Sequence, residues 1–139
     1  MEQEMPKQWE VILPWPEKEL SPNSRAHWAK KSRVAKRYRY ACRIKTLQAI
    51  RAGGWDVPAL RDQVADGGQI HVFIDFYPPD RRHRDDDNTT GSFKSGRDGL
   101  ADALQIDDRH FRTHPIFRRD EPVKGGMVRV VVTTSGPEA

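Results

Sequence analysis

Three consecutive carboxylates, Asp85, Asp86 and Asp87, stand in the charged run DRRHRDDDN of residues 80–88. In an extended chain successive side chains alternate, so Asp85 and Asp87 point to one side and Asp86 to the other. Two carboxylates on one side suit a hard cation such as Mg²⁺. That ion takes oxygen ligands, keeps several waters and completes its octahedron with a substrate phosphate. A third carboxylate can come from Asp107 or Asp108. Taken alone, an aspartate cluster is more often a solvated loop or a helix cap. Two features favour the metal reading. The cluster lies between a strand pattern and a helix pattern, where ligand sites gather in sheets flanked by helices. It is also accompanied by Arg81, Arg82, Arg84 and Lys94. Cations beside carboxylates make sense where a metal holds one part of a phosphate and Arg or Lys holds the rest.

Other reactive side chains carry less. His83 lies two residues before Asp85, and His with carboxylates is a transition-metal donor set. His27, His71, His110 and His114 show no ligand spacing with it, so all five histidines are read as exposed or phosphate-contacting. Cys42, the only cysteine, has no paired base and reads as core filler rather than nucleophile. A single cysteine also excludes an intramolecular disulfide and a Cys-rich zinc site. Trp28 reads as a core residue. Stacking on DNA is the alternative, because Trp28, Tyr38 and Tyr40 stand in a strongly basic stretch.

These groups need elements to position them. Trp9–Leu13 reads as a short strand stopped by Pro14 and Pro16, and Leu20–Ser24 as a turn. A helix is predicted from Arg25 to Ala52, ended by Gly53-Gly54. Its apolar arc holds Trp28, Val34, Ala35, Tyr38, Ala41, Cys42 and Ala49, and Arg33, Lys36, Arg37, Arg39, Arg43 and Arg51 fall mostly opposite. Trp55–Gly68 reads as a polar loop with at most one helical turn at Leu60–Val64. Ile70–Tyr77 is the clearest strand, with Ile70, Val72, Ile74 and Phe76 on one face. Asp80–Asn88 is expected to be an extended charged loop. A second helix is predicted from Thr90 to Leu104 with Phe93, Arg97, Leu100 and Leu104 on one stripe, though Gly91, Gly96 and Gly99 count against it. Asp107-Asp108 reads as a turn. Phe111–Arg119 and Met127–Thr133 read as closing strands about a Gly125-Gly126 turn. The order β-α-β-α-β-β predicts one small α/β (α+β) domain with a mixed sheet over residues 1–139, with loose tails at 1–7 and 135–139.

The chain has 139 residues, 32% of them charged, and a formal charge of +4. The excess favours an anionic partner without naming one. Its distribution says more: from Arg25 to Arg51 there are ten Lys or Arg and no Asp or Glu. No apolar run reaches membrane-spanning length, and the N-terminus reads as neither signal nor transit peptide. A cytosolic location is expected.

The run PPDRRHRDDDN at Pro78–Asn88, with ADAL at Ala101–Leu104 and IDD at Ile106–Asp108, resembles the signature of the RusA family of Holliday-junction resolvases. LPWP at Leu13–Pro16, the following Pro22-Asn23-Ser24-Arg25, and VKGGMVRVVVTT at Val123–Thr134 are similar to the family's opening and ending. The resemblance implies that Asp85 and Asp87 are Mg²⁺ ligands and that Asp108 is the third acidic member. It implies a homodimer that nicks strands of like polarity across a four-way junction, in DNA recombination and repair, with Mn²⁺ able to replace Mg²⁺. One part departs from the family pattern. The position one turn before the Asp of Asp-Ala-Leu, where the family carries a catalytic Lys, is Asp98 here. Lys94, another turn back, either replaces that Lys or is an ion-paired surface residue. Arg97 is the weaker candidate.

The expected activity is metal-assisted phosphodiester hydrolysis, with Asp85, Asp87, Asp108 and Lys94 catalytic. Arg81, Arg82, Arg84 and the helix cations Arg33, Lys36, Arg37 and Arg43 are expected to grip DNA phosphates. The competing readings are a non-catalytic, structure-selective DNA-binding module, and a metal nuclease acting on flaps or RNA. Paired nicks need two copies of a domain with one acidic cluster, and the two-fold symmetry of a junction suits an isologous dimer.

Overall fold

The alternation in IHVFIDFY builds the centre of the molecule. Strand β2 (Ile70–Tyr77) buries Ile70, Val72, Ile74 and Phe76 on one face. In the computed structural model, which describes residues 7–134, β2 lies between two partners. It pairs in parallel with β3 (Phe111–Phe117) and antiparallel with β4 (Met127–Thr133), while β1 (Gln8–Leu13) closes the far side of β4. The mixed four-stranded sheet has the order β1-β4-β2-β3, and the α+β class expected from the element order holds. Pro115 is accommodated because β3 is an edge strand. The expected loose tails at 1–6 and 135–139 lie outside the described residues. Lys7, counted with the first tail, pairs with Asp56 at 3.3 Å.

Helix α1 (Trp28–Gly53) ends as predicted, on Gly54 at φ 60°, but starts three residues after the expected Arg25, at an N-cap where His27 Nδ1 accepts from the Ala29 amide. It buries Val34, Tyr38, Cys42 and Thr46. Trp28 is 75% exposed, against the core reading. It sits at the first helical position, before α1 reaches the sheet, and touches only the His27 ring among the described aromatic contacts. The predicted polar loop after α1 is instead helix α2 (Val57–Ala65), capped by Asp56 accepting from Ala59, with Pro58 in the first turn and Leu60 fully buried. One apolar anchor and a good cap suffice for a nine-residue helix that the polar composition masks.

The predicted second helix begins earlier and breaks once. Helix α3 (Asp86–Ser92) and helix α4 (Lys94–Leu104) meet at Phe93, which is buried against Tyr38 and Phe76. The glycines that argued against a helix are what lets α4 pack. A Cβ on Gly99 would lie 2.4 Å from the Arg39 carbonyl oxygen of α1, and one on Gly96 would strike the Phe93 ring. Backbone approach between α1 and α4 outweighs the propensity cost of about 1 kcal/mol per glycine. The α4 stripe is as predicted: Phe93, Leu100 and Leu104 are buried. Strand β3 stops at Phe117, two residues short of the expected end. Gly125 and Gly126 adopt positive φ in the turn before β4.

On the sheet face away from Val72 and Ile74, Asp75 is 3% exposed. Its carboxylate accepts from Arg118 at 3.2 Å and Arg129 at 3.1 Å, tying β2 to β4 and to the chain beyond β3. His71 and His114 also face each other there, Nδ1 to Nε2 at 3.0 Å, with His114 stacked on Phe73. The reading of both histidines as exposed or phosphate-contacting is therefore corrected. Parallel pairing of β2 with β3 brings the rings together and half-buries them.

Candidate metal and phosphate site

The parallel pairing of β2 with β3 leaves the chain after β2 and the chain after β3 at the same end of the sheet. The loop 78–85 and residues Arg118–Asp120 therefore meet there. Asp85 is the N-cap of α3: one carboxylate oxygen accepts from the Asn88 amide at 3.1 Å, and the backbone is helical from Asp86 onward. This corrects the extended geometry expected for the acidic run. Side chains step round a helix rather than alternate, and Asp85, Asp86 and Asp87 all border one open cavity of about 370 Å³ with His83, Arg84 and Arg119. Asp86 is ion-paired with Arg119. Asp87 is exposed and, among the described residues, has no ion pair.

The loop before α3 is held by its own charges. Asp80 accepts from the Arg82 amide at 3.0 Å and pairs with Arg84 at 2.9 Å, and both contacts, the amide first, lower its pKa. Arg84 also donates to the Asp80 and Arg82 carbonyls and lies over the Trp15 ring at 5.8 Å. Arg81, Arg82 and His83 are exposed beside it, as read for His83.

The remaining predicted site residues gather at α4. Lys94 is exposed at the first position of α4, on one face with Asp98 and Asp102 at four-residue spacing. Burial raises the Asp98 pKa, with Arg39 and Lys94 opposing and Asp108 adding to the rise. Arg39 of α1 grips Asp102 with two bonds of 2.7 and 2.8 Å, which holds that carboxyl low. Asp108 stands in the short 3₁₀ turn Asp108–His110. Arg97 donates to its backbone oxygen at 3.0 Å and stands 4.0 Å from its carboxylate. The Arg97 Nε is buried without a partner among the described residues. Asp107 caps the same turn by accepting from the Arg109 amide.

Cations on α1 divide by partner. Arg37 is held by Glu17 through bonds of 2.7 and 3.3 Å, and Arg39 by Asp102, so neither is a free cation. Arg33, Lys36 and Arg43 are exposed and have no ion pair among the described residues. Cys42 is fully buried, and burial pushes its thiol up to about 12, in keeping with a packing role.

Among the described residues no three His, Cys, Asp or Glu side chains converge as a group that could hold a metal. Asp85 and Asp87 nevertheless offer exposed carboxylate oxygens at one cavity, an all-oxygen donor set. A Mg²⁺ ion that retains its waters and shares a substrate phosphate needs only one or two protein carboxylates. Sequence reasoning missed Arg119, Trp15 and Phe117 at this site. The Arg118-Arg119 doublet at the end of the β3 pattern was the available signal.

No helix of the described residues is long and apolar enough to cross a membrane. No family model matches the chain. The chain is similar to an uncharacterized protein of Xylella fastidiosa (strain Temecula1 / ATCC 700964), 42% identical over 123 residues that span 88% of this chain and 74% of that protein.

Proposed function

This chain belongs to one family with that uncharacterized Xylella fastidiosa protein, and we propose that it is a Mg²⁺-dependent endodeoxyribonuclease that nicks four-way DNA junctions as a homodimer. One observation carries the reading. Asp87 keeps an unpaired carboxylate at a cavity bordered by Arg84 and Arg119, while those arginines are engaged by Asp80 and Asp86. A carboxylate left open among cations suits a site whose counter-ion arrives with the ligand. The sequence resemblance to the RusA family agrees with it.

Asp85 and Asp87 would hold the metal; the family resemblance adds Asp108, which the fold keeps beside Arg97 and not at the cavity that Asp85 and Asp87 border. When bound, Mg²⁺ supplies a more acidic water and a counter-charge for the phosphate. Arg81 and Arg82 bind the backbone phosphates flanking the cut. Arg84 and Arg119 are fixed by Asp80 and Asp86, and so meet phosphate with little reordering. Lys94, exposed at the start of α4, would offer its ammonium to the leaving 3′-oxygen. Arg33, Lys36 and Arg43 extend the basic surface along α1, and binding weakens steeply with salt.

A second reading has its own support. Asp85 caps α3 and Lys94 faces Asp98, as they would in a DNA-binding module without catalysis. A panel of labelled four-way junction, flap, RNA hairpin and linear duplex, incubated with Mg²⁺ or EDTA, separates the readings. Symmetric nicks on the junction with Mg²⁺ alone are expected. Tight junction binding with no nick in Mg²⁺ or Mn²⁺ would establish the non-catalytic module instead.

A further inference from the structure

Beside the acidic cavity lies a second one of about 250 Å³ with a different character. Its floor is aromatic. Trp15 meets Phe76 edge-on at 6.2 Å, and Phe117 stacks on Phe76 at 5.5 Å. Phe76 is buried, whereas Trp15 and Phe117 are half-buried and line the cavity. Its rim carries more cations than carboxylates, with Arg81, Arg82, Arg84 and Arg119 against Asp86 and Asp120. Arg84 lies over Trp15, Arg119 lies over Phe117 at 5.9 Å, and Arg81 is exposed with no ion pair among the described residues. His83, Arg84, Asp86 and Arg119 border both cavities.

Two flat rings beneath arginines match a ligand with a π-face and a negative charge. Phosphate alone has no use for Trp15 and Phe117, and a neutral aromatic has none for the arginines. The geometry points to a subsite for one unstacked nucleobase of a DNA strand, held against Trp15 and Phe117, with the neighbouring phosphate on Arg84 and Arg119. Base–aromatic stacking tolerates any base because every base has such a face. Withdrawing a base from a duplex costs a few kcal/mol, and least where it is already unpaired. A base at a branch point is therefore the easiest to capture, and this subsite favours branched over linear DNA. Trp15 is positioned by the Gly125-Gly126 turn, since a Cβ on Gly126 would lie 2.6 Å from the Trp15 Cβ.

The inference rests on the nuclease reading for its biological setting, but its test does not depend on cleavage. The full-length protein is titrated with a single-stranded DNA tetranucleotide, and with the matching abasic tetranucleotide of equal charge. The readout is the NMR signals of the Trp15 indole and the Phe117 ring. Both signals are expected to move with the base-bearing strand and to stay in place with the abasic one. Phe117→Leu should weaken base-bearing DNA by about 10-fold and leave abasic DNA unchanged, and Phe117→Tyr should restore binding. Equal shifts with both strands would reduce the cavity to a phosphate site. No shift at Trp15 with either strand, from a protein that still nicks junctions, would overturn the subsite and spare the nuclease. A base-dependent shift from a protein that never nicks would do the reverse.

Discussion

Asp75 and Asp87 are both carboxylates with arginines nearby, and the fold treats them in opposite ways. Asp75 sits in β2, almost fully buried, with both oxygens engaged by Arg118 and Arg129. Asp87 sits in the first turn of α3, exposed, with no ion pair among the described residues. Burial makes pairing obligatory, because an uncompensated charge in the interior is too costly to keep. Exposure makes it optional, and a carboxylate left open beside cations is available to something that is not protein. The sequence already sets Asp75 in an apolar strand pattern and Asp87 in a charged run. The sheet completes the difference by carrying Asp75 between strands and leaving Asp87 beyond the strand ends.

Breaking the closed carboxylate should give the largest effect on stability. Asp75→Ala takes from Arg118 and Arg129 the carboxylate they share and should cost about 3 kcal/mol, the low end for a buried pair because both arginines stay more than a third exposed and Arg129 keeps Glu10. Urea unfolding measures it, and a loss below about 1 kcal/mol would mean that Asp75 is not structurally closed. Gly99→Ala probes the packing of α4 on α1. The new Cβ would meet the Arg39 carbonyl, and forcing the helices apart should cost about 2 kcal/mol by the same assay. Asp102→Asn sharpens the comparison with a carboxylate that is paired but partly exposed. Its bond to Arg39 is well formed, yet solvent screens it, so about 0.5 kcal/mol is expected.

The smallest effect concerns pH. Burial, then His71 and Arg112, lower the pKa of His114. As pH falls through the ordinary histidine value near 6.5, the unfolded chain takes up this proton before the folded one does, and stability declines. A thermal-melt series from pH 7.5 to 5 should show a shallow loss that His114→Gln removes. A wild-type melting point that rises on acidification over that range, and does so through His114, would contradict the shift.

Much of this was legible in the chain. The alternation in β2 predicted its core face, and the apolar arc of α1 predicted Val34, Tyr38 and Cys42, though it wrongly took in Trp28 and missed Thr46. Two failures have physical causes. The acidic run reads as an extended loop, yet Asp85 caps α3 and draws Asp86 and Asp87 into its first turn. Carboxylates at a helix N-terminus are favoured by the unsatisfied amides and the helix dipole, so the same residues signal loop and cap alike. The expected helix formed although Gly96 and Gly99 count against it by propensity; their value lies in close approach to Phe93 and to α1, the latter nearly sixty residues away in the chain, which no local pattern reports. Arg119 and Phe117 join the site only through the parallel pairing of β2 with β3, a tertiary fact.

The most direct test of the open carboxylate is the Mg²⁺-dependent nicking rate of a synthetic four-way junction by Asp87→Asn, set against wild type and Asp86→Asn. The amide keeps the shape of the side chain and removes the charge. Nicking should fall by on the order of 100-fold or more, since metal-assisted charge stabilisation contributes several kcal/mol. Junction binding should hold or tighten, and the melting point should stay unchanged. Asp86, already engaged by Arg119, should lose only a few-fold on the same substitution. Full nicking by Asp87→Asn would contradict the account, because the carboxylate the fold leaves open would then hold nothing the reaction needs.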